Sequence, residues 1–75
     1  MMAETETETL TRMANQIAGF FAPYGEAEAV KEVAAHINAF WEPRMRRALL
    51  AHLDQGGAGL SPPVIAAAGL IRRRA

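Results

Sequence analysis

Residues 40–47 read Phe40-Trp41-Glu42-Pro43-Arg44-Met45-Arg46-Arg47, and this stretch sets the helical layout of the chain. A proline clashes with a helical residue before it, so Glu42 is driven to extended geometry. Proline itself suits the first position of a helix, where its missing N–H costs nothing. One helix therefore ends at Trp41 and another starts at Pro43. Towards the N-terminus, Val30, Val33, Ala34, Ile37, Phe40 and Trp41 recur at helical spacing in a helix that opens near Glu26, with Glu26 and Glu28 at the positive end of its dipole. Pro23 and Gly25 close a preceding helix whose apolar stripe is Leu10, Met13, Ile17, Phe20 and Phe21. Thr5 and Glu8 have the spacing of a capping box, and Thr9 is a second candidate cap. Shifted by twenty residues, Ala14, Ile17, Phe20 and Pro23 meet Ala34, Ile37, Phe40 and Pro43, so the two helices carry similar faces and close on each other as a hairpin.

Beyond Pro43, a third stripe runs through Met45, Leu49, Leu50 and Leu53. Gly56, Gly57 and Gly59 end it in a loop, and Ser61 stands as N-cap before Pro62. Val64, Ile65, Ala68 and Ile71 make a short fourth helix, interrupted by Gly69, that gives way to Arg72-Arg73-Arg74. No segment alternates with period two. The expected fold is all-α: a small bundle of three to four short helices, an α-hairpin followed by helix three and a short C-terminal helix. Residues 1–8 are expected to be a flexible acidic tail, 9–72 a single helical domain, and 73–75 a basic tail.

Size and composition narrow the function. The chain has 75 residues and is 51% hydrophobic, but 16 of those side chains are alanine. A core this small contributes only about 3–5 kcal/mol, and natural chains of this length usually add disulfides, a metal or a partner. There is no cysteine, which excludes disulfides, thiolate metal sites and cysteine nucleophiles. The formal net charge of zero hides a division: residues 1–42 carry −5, and residues 43–75 carry +5. A free-standing nucleic-acid binder is normally basic throughout. The N-terminus lacks a basic and apolar leader, and no apolar run reaches the ~18 residues of a membrane span; a cytoplasmic location is expected.

Catalytic chemistry has little to draw on. His36 and His52 lie on different helices without a metal-binding spacing, Ser61 is explained as a cap, and the glutamates cluster at helix starts. No catalytic, cofactor-binding or metal-ligating residue is assigned. Gly56-Gly57-Ala58-Gly59 follows a helix rather than a strand, and Pro62-Pro63 removes two of the donors a phosphate would need. The segment that packing explains least is the opening one. Arg44, Arg46 and Arg47 crowd the first turn of helix three, where the dipole disfavours cations by a few tenths of a kcal/mol each, roughly. They adjoin Phe40 and Trp41, and Trp, Arg and Met are enriched at interface hot spots. Phe40, Trp41, Pro43, Arg44, Met45, Arg46 and Arg47 are therefore the expected partner-docking surface, with Trp41 and the arginines exposed. The other reading of the same residues is a small helical DNA-binding or regulatory protein that uses helix three. Phe20 and Phe21 are expected to pack between the helices.

Three blocks carry a family resemblance. Arg12-Met13-Ala14-Asn15-Gln16-Ile17-Ala18-Gly19-Phe20-Phe21, Ala35-His36-Ile37-Asn38-Ala39-Phe40-Trp41-Glu42-Pro43-Arg44-Met45-Arg46 and Gly56-Gly57-Ala58-Gly59-Leu60-Ser61-Pro62 together resemble the delta subunit of soluble NAD-dependent, molybdenum-containing formate dehydrogenase. The resemblance runs from about Leu10 to Ile71. The sequence departs at Glu42, where the family commonly has Asp, and at Pro63, where a non-proline is usual. The resemblance implies a non-catalytic accessory subunit without a cofactor of its own. The molybdenum cofactor, Fe-S clusters and FMN would reside in the alpha, beta and gamma subunits, which oxidise formate to CO2 and reduce NAD+ to NADH. The implied partner is the catalytic alpha subunit, with no nucleic acid or membrane involved, and self-association of the isolated chain stays open.

Overall fold

The computed structural model describes residues 4–72; the expected basic tail at 73–75 lies outside them, as do residues 1–3 of the acidic tail. Among the described residues the chain is helical without strands. Helix α1 spans Glu6–Phe21, α2 Glu26–Phe40, α3 Pro43–Asp54 and α4 Pro62–Ala67, with 3-10 turns at Ala22–Tyr24 and Ala68–Leu70. Helix α2 occupies the middle, with α1 and α4 packed on it and α3 packed on α1.

The capping box decides where α1 begins. The Thr5 hydroxyl accepts from the Glu8 amide at 3.1 Å, and the Glu8 carboxylate accepts from the Thr5 amide at 2.9 Å. Both termini of the motif are thereby satisfied, and Thr5 rather than Thr9 is the cap. Glu6, Thr7 and Glu8, expected in the tail, are the first helical residues, and the two glutamates face the positive end of the dipole. Thr9 instead donates to Glu4 at 2.9 Å, and Arg12 reaches the same carboxylate at 3.0 Å. These contacts, the Arg12 bond foremost, hold the Glu4 pKa below its ordinary value.

At the other end of α1 the hairpin turns through Gly25, whose φ of 98° is open to glycine and costly for other residues. Small side chains are buried on both helices of the hairpin, Ala14 and Ala18 on α1 and Ala29 and Ala34 on α2. Leu10, Val33, Ile37, Leu49, Leu50, Leu60, Val64 and Ile71 complete the aliphatic interior. The loop after α3 closes on Gly57, which is buried at φ 64°; a Cβ there would also come within 3.3 Å of Leu53. His52 holds the same loop through a 2.8 Å contact between Nε2 and the Ala58 carbonyl.

Two asparagines pin non-helical segments to the helices. Asn15 on α1 donates to the Gly59 carbonyl and accepts from the Ser61 amide, both at 2.9 Å. Asn38 on α2 does the same for the C-terminal segment, donating to Leu70 O at 2.9 Å and accepting from Arg72 N at 2.8 Å. In each case one carboxamide brackets residues n and n+2 where the chain leaves a turn, satisfying backbone groups that the adjoining helices leave unpaired.

Ser61 occupies the N-cap position of α4, yet its hydroxyl makes no capping bond. Pro62 and Pro63 fill the first two helical positions, so the N2 amide that a cap would bind is missing. The Val64 amide bonds to the Ser61 carbonyl instead, at 3.0 Å. The hydroxyl is left buried, with no hydrogen-bond partner among the described residues.

Candidate partner-docking site

The segment between α2 and α3 divides into an inward and an outward set. The axis of burial on α2 runs through Val33, Ile37 and Trp41, each four residues apart and all buried. Trp41 is the C-cap, with extended φ −84° and ψ 140°, and is only 5% exposed. Phe40 is 74% exposed and lies tilted against the His36 ring, with centroids 4.8 Å apart. The last turn of the helix can send one of its two aromatics inside, and the one aligned with Ile37 goes. This corrects one expectation: Trp41 is not an exposed anchor, whereas Phe40 does stand at the surface.

Arg46 is also turned inward, 6% exposed. Its Nη1 donates to the Trp41 carbonyl at 2.7 Å, and its Nε to the Arg72 carbonyl at 3.3 Å. The guanidinium thus lies at the C-terminal end of α2, where the dipole favours a cation, although its own backbone belongs to the N-terminal turn of α3. The expectation that Arg46 is a surface cation gives way to this. Arg44 does stay exposed, in an ion pair with Glu6 at the start of α1; that bond raises the Arg44 pKa above its ordinary value. Arg47 is exposed, Pro43 is half-buried, and Met45 packs its half-buried side chain on the core.

What stands outward is therefore Phe40 with Arg44 and Arg47, mounted on a Trp41–Arg46 support. A helix that reads DNA offers the residues of its first turn together; here one of the three arginines is inside and another is engaged with a carboxylate. Among the described residues no three His, Asp or Glu side chains gather as a metal-ligand set would, and no helix is long and apolar enough to cross a membrane.

Residues 9–68 match the family model described as NADH-dependent formate dehydrogenase delta subunit FdsD. The chain belongs to that family. No curated protein and no solved structure matches. The stretch shared with the delta-subunit family takes in Asn15, Asn38 and the whole Phe40–Arg47 segment, whereas Leu70–Arg72, which Asn38 and Arg46 hold, follow it. Both asparagines stand in the blocks that carry the resemblance, with nothing beside them in the chain to give them a role. Their partners lie 32 to 46 residues away, and no local spacing marks such a bracket.

Proposed function

We propose that this chain is a non-catalytic accessory subunit of a cytoplasmic NAD-dependent formate dehydrogenase, supporting its assembly, cofactor maturation or stability by docking on the catalytic alpha subunit. In this reading the chemistry belongs to the partners, which carry the molybdenum cofactor, Fe-S clusters and FMN, and this chain supplies a rigid surface. Membership of the delta-subunit family supports it. The observation that carries the location is Phe40: a phenyl ring 74% exposed on a helix end fixed from within, with the exposed Arg44 and Arg47 in the first turn of the next helix. Covering a phenylalanine side chain is worth about 1.5–3 kcal/mol, the size of an interface hot spot. Pro43 and Met45 shape the same edge from half-buried positions.

Trp41→Ala is not a fair test of docking, because removing a buried tryptophan costs about 3–5 kcal/mol, comparable to what a core this small supplies. Phe40→Ala combined with Arg47→Glu alters exposed atoms alone. Co-expressed with the formate dehydrogenase subunits, that variant is expected to keep the helical circular dichroism of the wild type and to co-purify about tenfold less well. Recovery equal to wild type contradicts the docking assignment. Molybdenum and iron content of enzyme made without the chain separates maturation from stabilisation: a loss of metal indicates the former, and full metal with faster dissociation indicates the latter.

A further inference from the structure

The turn between α1 and α2, the length of α2 (about 21 Å at 1.5 Å per residue) from Phe40, holds three of the chain's five aromatic side chains. Phe21 packs on the core. Phe20 stands edge-on to it, with ring centroids 5.0 Å apart and planes at 88°. Tyr24 lies 5.9 Å away on a 49° tilt. Phe20 is 69% and Tyr24 63% exposed, against the expectation that Phe20 packs between the helices. It lies about 120° round α1 from Ala14, off the buried face. Glu28 and Glu32, four apart on α2, join Phe21 and Tyr24 around an open cleft of about 290 Å³. Lys31 approaches Glu28 at 3.9 Å, but both side chains are well exposed, and such a pair holds its partners weakly.

We propose that this cleft takes the guanidinium of an arginine on a basic segment of a partner protein, as a contact surface separate from Phe40. Two aromatic residues and two glutamates line the cleft. An apolar occupant would strip water from Glu28 and Glu32 without replacing it. A guanidinium is planar, stacks on an aromatic ring and forks two N–H donors onto a carboxylate, and it sheds water more readily than an ammonium. Glu26, at the first position of α2, adds a further carboxylate and longer-range attraction for such a segment. With Phe40 at one end of α2 and the cleft at the other, the chain has two separate surfaces and can bridge two segments of a larger assembly.

Tyr24 is the single tyrosine, so its ring protons report the cleft by NMR. The full chain is titrated with the peptide acetyl-Gly-Arg-Arg-Gly-amide and with its lysine counterpart. The expected result is a saturable Tyr24 shift with the arginine peptide, about threefold weaker binding of the lysine peptide, and about tenfold weaker binding of the arginine peptide to Glu28→Gln/Glu32→Gln. Phe40→Ala leaves the Tyr24 titration unchanged, which keeps this result independent of the docking surface at the other end. Absence of a saturable shift overturns the proposal, as does an unchanged midpoint in the double glutamine variant. A sedimentation mass that doubles with concentration and reverts to one chain in that variant also overturns it, because the occupant is then a second copy.

Discussion

A guanidinium in the first turn of a helix meets the positive end of the dipole, and Arg46 escapes that conflict by reaching back to the carbonyl end of the preceding helix. Its bonds to Trp41 O and Arg72 O join α2, α3 and the C-terminal segment at one charged group. Arg46→Met keeps the apolar stem and removes the donors, leaving those carbonyls unsatisfied in a buried site. The expected loss is about 2–4 kcal/mol in urea unfolding, with Arg46→Lys recovering less than half because an ammonium cannot match the fork; a loss below ~0.5 kcal/mol would show that Arg46 does not hold the junction. Ser61 behaves in the opposite way. Truncating an N-cap serine usually costs about 1 kcal/mol, but the Ser61 hydroxyl is buried with no partner among the described residues, so Ser61→Ala is expected to leave stability unchanged or raise it by up to ~1 kcal/mol. A midpoint lowered as for an ordinary cap would mean the hydroxyl does bind. The cap position of Ser61 was legible in the sequence, from a serine followed by Pro62. Its failure to cap has two parts: Pro63 removes the N2 donor, and the Val64 amide at N3 bonds to the Ser61 carbonyl instead. The inward turn of Arg46 was not legible, because one of its acceptors lies 26 residues downstream.

Elements follow local chemistry closely at their ends and less closely on their faces. The break at Glu42-Pro43, the Thr5/Glu8 box and the stop at Gly25 are set by backbone geometry within a few residues, and each is readable from neighbours in the chain. The choice between Phe40 and Trp41, and between Phe20 and Phe21, depends on where adjoining helices run out, and helical spacing admits both members of each pair. The C-terminal segment is a further case: Leu70–Arg72 lie on α2 because Asn38 brackets them. Asn38→Ala removes both bonds at once. Amide exchange at Ile71 and Arg72 is expected to rise about tenfold or more, with a global loss of about 1–3 kcal/mol. Unchanged exchange at those two amides would show that packing of Ile71 alone secures the segment.

At the scale of the whole molecule, five of the fourteen buried apolar residues among those described are alanines, so the interior encloses little volume, while Phe20, Tyr24, Phe40, Ile65 and Leu70 remain exposed. The sequence conveyed this shortage of interior correctly and misplaced its tryptophan: Trp41 is buried at the α2–α3 junction, and the phenylalanine before it is the one left exposed. The charge division of the sequence is only partly spatial: Glu26, Glu28 and Glu32 lie towards the hairpin turn, but Glu6 pairs with Arg44 at the other end of the molecule. Membership of the formate dehydrogenase delta-subunit family places such a molecule among the subunits of a larger enzyme, and Phe40 is the residue that most directly reports whether the α2–α3 end is covered there. The measurement is photo-crosslinking in the assembled complex, with Phe40 replaced by p-benzoylphenylalanine and, as a control, the exposed Ala66 of α4 replaced in the same way. Irradiation is expected to join position 40 to the catalytic subunit and to give no such product from position 66. A complex that forms normally yet yields no adduct from position 40 would contradict docking through this surface.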